Sequence, residues 1–521
     1  MTADCASVNR ASGPYDVLGA RQAWPLHDTR SSRAIEVQML QRWPNGALMA
    51  WAGRRVARWV VAMAPHARRI WVAAGPGGNG GDGLHAAAHL ARLGRQVVIT
   101  MHPALQATRA VEVRIALDQA LQAGCTLISK PAAPCEAPAA DLVLDALLGL
   151  GANRPLSPPI STAVELIAAH PAPCLSIDVP TGLNADTGQA LGGGLINARA
   201  TLALITLKPG LFMGQGRDAA GSIWLDALDD SQQEPSYSPV AWTTWVPSKP
   251  LDGKQRPHGS HKGQYGDVVL VGGAPGMSGA LRLSAHAALA AGAGRVIAVP
   301  LDPATSLSDA SRPECMWKRP QDLDMADLER STVVCGCGGG QAVADWIGPL
   351  MNHAWRLVLD ADALNALARD PSLVRLLQAR VERGLACVLT PHPLEAARLL
   401  GVGTPEVQGN RLSAAGSLST RYAATVLLKG SGTVIASVGR LPEVNLTGNA
   451  ALATGGTGDV LAGWIGGHWA SSGPARTSES DMAHRMACTA AFIHGRAADR
   501  RDSHRVLRAL DLVEHMHQWA A

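Results

Sequence analysis

The stretch Thr447–Gly467, TGNAALATGGTGDVLAGWIGG, decides how the chain is read. Thr454 to Gly458 make a small glycine-rich turn, Asp459 follows at once, and an apolar run from Val460 to Ile465 comes next. A turn that opens into a buried helix leaves unpaired backbone N–H groups pointing outward. Together with the helix dipole they make an anion site. Glycines let a phosphate approach with no Cβ in the way. An acid in the first turn then sits beside the anion, where it can take a proton from the hydroxyl that accepts a phosphoryl group. Taken alone, G-x-G-D also describes an ordinary loop with a first-turn helix acid, and the plainer reading is then preferred. The surrounding chain decides.

Immediately upstream, Thr425–Leu428 reads as a buried strand followed by Lys429, Gly430, Ser431, Gly432 and Thr433. A lysine after a strand, with small residues next, suits capture of a nucleotide phosphate. The alternative is a β-hairpin with Gly430 to Gly432 as its turn. If both loops follow strands, 429–433 and 454–458 share one side of a βα fold. Further upstream the pattern repeats. The strand Val268–Val271 leads into a glycine loop and an alanine-rich helix ending near Ala291. Val333–Cys335 leads into Gly336-Cys337-Gly338-Gly339-Gly340, suited to close approach by a flat ligand. The only close cysteine pair, Cys335 and Cys337, fits a buried strand end better than a metal or redox site. Leu357–Leu359 ends at Asp360-Ala361-Asp362. Cys387–Leu389 ends at Thr390-Pro391-His392-Pro393, where His392 is either structural or a donor to a ligand carbonyl or phosphate.

The first half has the same grammar. Asp28 can cap a helix to about Arg42, and Asn45 a second from Gly46 to about Met63. Residues 1 to about 25 read as an irregular lead-in. Ile70–Ala74 is a short strand, followed by a loop from Gly75 to Gly83 and a helix from Leu84 to Leu93. This is the nucleotide-binding unit of an α/β domain, with Asn79 and Asp82 inside the loop for polar contacts or for turn chemistry. Gln96–Thr100 is a strand, Thr108–Ala123 a helix, Leu142–Ala146 a strand, Cys174–Asp178 another and Thr201–Ile205 another. Asp145 and Asp178 thus stand at C-terminal strand ends, where parallel sheets form their ligand crevice. With Asn79 and Thr181 as further oxygen donors, they suggest a hard-cation or polyol site and argue against zinc.

At 521 residues the chain is too long for one core, so two large domains are expected. Apolar residues at 47% can fill them, and 55 glycines with 33 prolines suit many tight βα turns. A net charge of +4 with no Lys/Arg block speaks against nucleic-acid binding. No signal segment and no membrane-length apolar run are evident, and nine cysteines are scattered without paired spacing. The expectation is a soluble, reduced, cytoplasmic protein. The βα rhythm stops over residues 229–258, giving domains at 1–228 and 259–521 with a linker and lead-in between them.

LMAWAG at 48–53, NGGDG at 79–83, LVLDALLGLG at 142–151, SIDVPTGLNADTG at 176–188 and LKPGL at 207–211 resemble the epimerase domain of NAD(P)H-hydrate repair enzymes. The resemblance covers about residues 25–226. It implies a Rossmann-like three-layer domain that interconverts the R and S hydrates of NADH and NADPH, NADHX and NADPHX. It implies a potassium ion held by Asn79, Asp145 and Thr181. Substrate contacts are implied for Gly78, Asn79, Gly80, Gly81 and Asp82, and for Gly149, Leu150, Gly151, Ala152, Asn153, Arg154 and Pro155. Asp178 is implied as a substrate contact and is the candidate for proton transfer. Gly78 stands where the family carries a first asparagine.

HKGQYGDVVLVGGAPGMSGA, VLDADALNAL, TPHPLEAARLLG, LLKGSGT and GNAALATGGTGDVLAG, spanning 261–467, resemble the NAD(P)H-hydrate dehydratase domain. The implied fold is ribokinase-like, with a mostly parallel sheet between helices. The implied reaction removes water from the S hydrate at the expense of ADP, giving AMP and phosphate, with magnesium as metal. Asp459 would be the base. Lys429, Gly430, Ser431, Gly432, Thr433 and Gly458 would hold ADP, and Ala280, Gly340, His392 and Asp459 the hydrate. A homo-oligomer is expected. Two alternatives share these residues: a vitamin-type kinase on the same superfold, and a nucleotide-binding protein without catalysis.

Overall fold

Runs such as Arg69–Ala74 and Leu142–Ala146 are short, apolar and almost wholly buried, which makes them strands covered on both faces. The computed structural model describes residues 14–19, 22–101, 110–129, 137–229, 237–246, 256–475, 477–500 and 506–520. The chain divides into two compact units, Met1–Ala241 and Trp242–Ala521. Of the expected lead-in, residues 1–13 and 20–21 lie outside the described residues, as do 108–109 of the expected helix and 230–236 and 247–255 of the expected linker. No helix among the described residues is long and apolar enough to cross a membrane.

The first unit's sheet has the order Tyr15–Asp16, Ser222–Asp226, Ala200–Leu204, Cys174–Ile177, Leu142–Ala146, Arg69–Ala74, Gln96–Thr100, Thr126–Ile128. All pairs are parallel except the first. Alternation along the strands separates two cores. Ile70, Val72, Leu142 and Leu144 pack with the helices Ala47–Met63, Gly78–Arg92 and Val111–Gln122. Trp71, Ala73 and Val143 face the other way, onto Ile160, Val164 and Ile167 of the helix Pro158–Ala168. The result is three layers.

Asp28 caps the helix Thr29–Leu40 as expected, accepting from the Ser31 amide. Asn45 does not cap the next helix; Gly46, in left-handed backbone, stands at that position. A larger correction concerns the glycines after Ala74. The helix begins at Gly78, not Leu84, so Asn79 and Asp82 belong to its first turns. Glycine's low helix propensity favours a loop here, but packing overrides it. A Cβ at Gly80 would lie 2.0 Å from the Gly75 carbonyl oxygen, and one at Gly83 2.3 Å from Ala146 Cβ. The glycines bring this helix down onto the sheet.

In the second unit the parallel order runs Met316–Trp317, Arg295–Pro300, Asp267–Gly272, Ser331–Cys335, Arg356–Leu359, Cys387–Leu389, Thr425–Leu428. Val434–Ala436 and Glu443–Val444 continue it antiparallel, and Trp242 and Thr243 pair in parallel with Glu443 and Val444. Val268, Leu270, Val334, Val358 and Val388 share one core with the helices Ser278–Ala290, Thr457–Ser471, Glu479–Asp499 and Ala509–Ala520. Val269, Val271, Val333, Leu357 and Leu359 are buried on the opposite face. The helix Thr457–Ser471 is central. Cβ atoms at Gly463 and Gly467 would lie 2.0 Å from the Ser284 carbonyl oxygen and 2.2 Å from that of Ala288.

Candidate active sites

Asp459 stands where the sequence places it, in the first turn of a buried helix. Gly456 takes a left-handed backbone (φ 90°), and the helix starts at Thr457. The turn is preceded by the 3-10 segment Ala450–Leu452, not by a strand. The Thr457 hydroxyl lies 3.0 and 3.1 Å from the carbonyls of Leu452 and Thr454. The Nε2–H of His494 donates to the Thr457 carbonyl at 3.0 Å. Burial holds that ring at about 4, so it is neutral.

Lys429 directly follows Thr425–Leu428, yet residues 429–433 join that strand to an antiparallel partner. Hairpin turn and inward-pointing lysine coexist. The Lys429 ammonium donates to Asp360 at 2.8 Å, and a Cβ at Gly458 would lie 3.4 Å from its nitrogen. The two loops therefore meet. Buried Arg411 fastens the hairpin through the carbonyls of Leu428, Lys429 and Gly432 at 3.0, 3.1 and 3.3 Å. Ser431, Gly432 and Thr433 lie in this turn, where the Thr433 hydroxyl donates to Gly430 at 3.2 Å.

Burial first, and then the charge of Asp360, push the Asp459 carboxyl up to about 6. Polar atoms of Cys337, Asp360 and Asp459 lie within 4.8 Å of one another. Burial raises the Cys337 thiol, and both carboxylates raise it further, so it stays protonated. Cys335 does end a strand, but Cys337 lies past that end, beside Asp459.

His392 caps the helix Pro393–Leu400; its Nδ1 accepts from the amides of Leu394 and Glu395, each at 3.2 Å. Burial, followed by the charge of Lys429, lowers its affinity for a proton. The neutral ring therefore carries its hydrogen on Nε2, 3.2 Å from a Glu395 carboxylate oxygen. It is a structural cap with a donor to spare. Gly340, at φ 58°, donates its amide to Asp362 at 2.8 Å and lines a cleft of about 620 Å³ with Asn365, Arg369 and Arg398. Ala280 touches the same glycine loop: a Cβ at Gly338 would come within 2.9 Å of its Cβ.

In the first unit, Gly78, Asn79, Asp82, the loop from Gly149 to Pro155 and Asp178 line one cleft of about 970 Å³. Gly80 and Gly81 do not line it; they are packed against Gly75 and Met49. Asp178 directly follows its strand with φ 66°, a strained value for a residue with a Cβ. Its carboxylate accepts from the Leu150 amide at 3.1 Å and from the Lys208 ammonium. Lys208 also donates to the carbonyls of Leu204 and Thr206, at 2.8 and 2.9 Å. Glu36 and Asp82 are each raised by burial first and then by the charge of Asp178.

Asp145 is wholly buried behind this cleft. It accepts from the Thr181 hydroxyl (2.7 Å), the Thr181 amide (2.9 Å), the Ser176 hydroxyl (2.9 Å) and the Leu147 amide (3.2 Å). All four donors are neutral. Neither polar side-chain atom of Asn79 has a hydrogen-bond partner among the described residues. A buried carboxylate without a cation, near an orphaned amide oxygen, has the donor chemistry of a monovalent cation site.

Sequence reasoning assigned no role to Lys208, Glu36 or Asp360. Lys208 gives the same signal as Lys429, a lysine soon after a buried strand. Asp360 was visible as an acid at a strand terminus. Glu36 sits in an amphipathic helix, and nothing in its local pattern marks it.

The family model described as NAD(P)H-hydrate dehydratase matches residues 268–517, and that described as YjeF-related protein N-terminus matches residues 45–210. The bifunctional NAD(P)H-hydrate repair enzyme Nnr of Escherichia coli (strain K12) is 35% identical over 468 residues, which are 87% of this chain and 84% of that protein. Its counterpart in Coxiella burnetii is 33% identical over 482 residues, 90% of this chain and 93% of that protein. A solved ADP/ATP-dependent NAD(P)H-hydrate dehydratase from Bacillus subtilis, co-crystallised with ATP and Mg2+, is 26% identical, with a TM-score of 0.39, covering 51% of this chain and 92% of that one.

Proposed function

The chain belongs to the family of bifunctional NAD(P)H-hydrate repair enzymes, and on that premise we propose a division of labour between its two sites. The first unit interconverts the R and S hydrates of NADH and NADPH, and the second dehydrates the S form with ADP as phosphoryl donor. Hydroxide is a poor leaving group from the hydrated nicotinamide ring. Transfer of a phosphoryl group to the C6 hydroxyl makes a good one; the ring nitrogen lone pair expels it as phosphate, and loss of a proton from C5 of the resulting iminium to solvent restores the 5,6 double bond of the reduced nicotinamide.

Asp459 takes the proton of that hydroxyl. The observation that carries this reading is its carboxyl, raised to about 6 in the first turn of a buried helix beside Lys429. A base tuned that close to neutrality is ionised at physiological pH yet has real proton affinity. The amides of residues 455–458 receive the developing phosphoryl charge, and Lys429 and the 430–433 turn hold the nucleotide phosphates. His392 presents Nε2–H, and Gly340 shapes the hydrate side. A magnesium ion, when bound on the nucleotide, neutralises phosphate charge. It would take oxygen donors, which the nucleotide phosphates supply.

In the first unit Asp178 moves the proton, and Lys208 fixes its carboxylate toward the cleft. Asn79, Asp145 and Thr181 would hold potassium, which supplies the positive charge that buried Asp145 otherwise lacks.

The test is absorbance at the reduced-nicotinamide band, with purified S hydrate, magnesium, potassium and ADP. Recovery of absorbance with stoichiometric phosphate is expected, and R hydrate added to the same cuvette should be consumed through the first site. A stable phosphorylated product without recovery would overturn the dehydratase assignment and point to a kinase.

A further inference from the structure

Away from both clefts, the second unit brings together a histidine, a cysteine and a carboxylate. His484 and Cys488 are four residues apart on the helix Glu479–Asp499, so they share one face, and Glu443 lies on the strand Glu443–Val444. One ligand atom from each lies within 4.8 Å of the other two. His484 Nε2 is 3.2 Å from a Glu443 oxygen. We propose that Glu443, His484 and Cys488 bind a thiophilic divalent cation of the zinc class.

Three observations support this. The donor set is nitrogen, sulfur and oxygen, the mixture zinc accepts and magnesium rejects. The other ring nitrogen has a partner able to accept its hydrogen once Nε2 takes a metal: His484 Nδ1 is 2.9 Å from the Ser437 hydroxyl, which is 2.8 Å from that of Thr425. Finally, His484 and Cys488 are buried while Glu443 is partly exposed, which leaves the ion an approach from the Glu443 side.

In the metal-free state His484 Nε2 faces Glu443 and Nδ1 faces the Ser437 hydroxyl. On binding, the ring carries its hydrogen on Nδ1, Ser437 accepts it, and the Ser437 hydroxyl turns to donate to Thr425. The Cys488 thiol proton leaves to solvent as the thiolate binds, so binding releases protons. The ion would tie the helix to the strand Glu443–Val444. That same helix supplies His494 to the Thr457 carbonyl and Asp499 to the Gly448 amide at 3.1 Å. It therefore backs the turn that presents Asp459.

The experiment is titration of the full chain, freed of metal by chelation, with cobalt(II). One cobalt per chain with a near-ultraviolet thiolate-to-cobalt band is expected, with the band bleached by zinc. Cys488→Ser should abolish the band, and Glu443→Gln should weaken cobalt binding about tenfold or more. Zinc should raise the melting temperature of the parent and leave that of Cys488→Ser unchanged. No band at micromolar cobalt, or a band that survives in Cys488→Ser, would overturn the proposal. Should Cys488→Ser not fold, unchanged cobalt affinity in Glu443→Gln, altered at a partly exposed residue, overturns it equally.

Discussion

Each unit joins a lysine that follows one strand to an aspartate that follows another, but the two pairs are finished differently. Lys208 is saturated: it donates to Asp178 and to two carbonyls, and its side chain is 2% exposed. Its aspartate is the open partner, 13% exposed and lining the cleft. In the second unit the roles reverse. Asp360 is the closed member, 2% exposed and also accepting from Thr390 at 2.7 Å, while Lys429 is 20% exposed and faces Gly458. A buried ion pair thus presents a carboxylate in one place and an ammonium in the other. The first suits proton transfer to a substrate atom, and the second suits capture of phosphate.

The sharpest way to separate the two is to neutralise each proposed base. Asp459→Asn should lower dehydratase turnover about a thousandfold and leave epimerisation intact. Asp178→Asn should do the reverse, as followed by nicotinamide absorbance with pure S or R hydrate. Equal loss of both activities in either variant would break the division. Next, Lys429→Met strands a deeply buried carboxylate and should cost the second unit about 4 kcal/mol. Lys208→Met strands one that water reaches and should cost the first unit about 2 kcal/mol. Denaturant unfolding of each variant measures both.

A smaller effect lies in pH. A base at about 6 must be ionised to act, so dehydratase kcat/KM should fall about tenfold per unit below that value. Asp360→Asn removes one of the charges that raise Asp459 and should move this acid limb to lower pH. The smallest effect concerns stability. The folded value of Asp459 lies above its unfolded value of about 4, so its ionisation disfavours the fold at pH 7 and ceases to do so below about pH 4. Asp459→Asn should therefore be more stable than the parent at pH 7 by on the order of 1–2 kcal/mol. By pH 4 that advantage should have gone, as melting curves at the two pH values would show.

Much of this was legible in the residues. Strands were, because brief apolar runs bounded by glycine and proline have little else they can form. Asp145, Asp178 and Asp459 were, because strand ends and helix starts concentrate ligands. The helix Gly78–Arg92 was not: local propensity makes six residues from Gly78 to Gly83 a loop, and only the sheet beneath them, which no local rule sees, makes them helical. The hairpin at 429–433 was weighed against phosphate capture as a rival, though the turn and an inward-pointing lysine share one segment. The pairing of Lys208 with Asp178 spans thirty residues of chain, beyond the reach of any motif. Cys337 was read as part of the glycine loop after a buried strand end, and its position beside Asp459 emerges only when the helix Thr457–Ser471 packs across the sheet.

The seam between that helix and Ser278–Ala290 has a consequence for tolerance to change. At Gly463 and Gly467 the neighbour is backbone, which cannot rotate aside as a side chain can. A library of random substitutions should therefore split at these two positions into working proteins and unfolded ones, with few sluggish enzymes between. Across Gly430 to Thr433, where the turn hangs on one arginine, the same library should instead yield a continuous spread of nucleotide affinities.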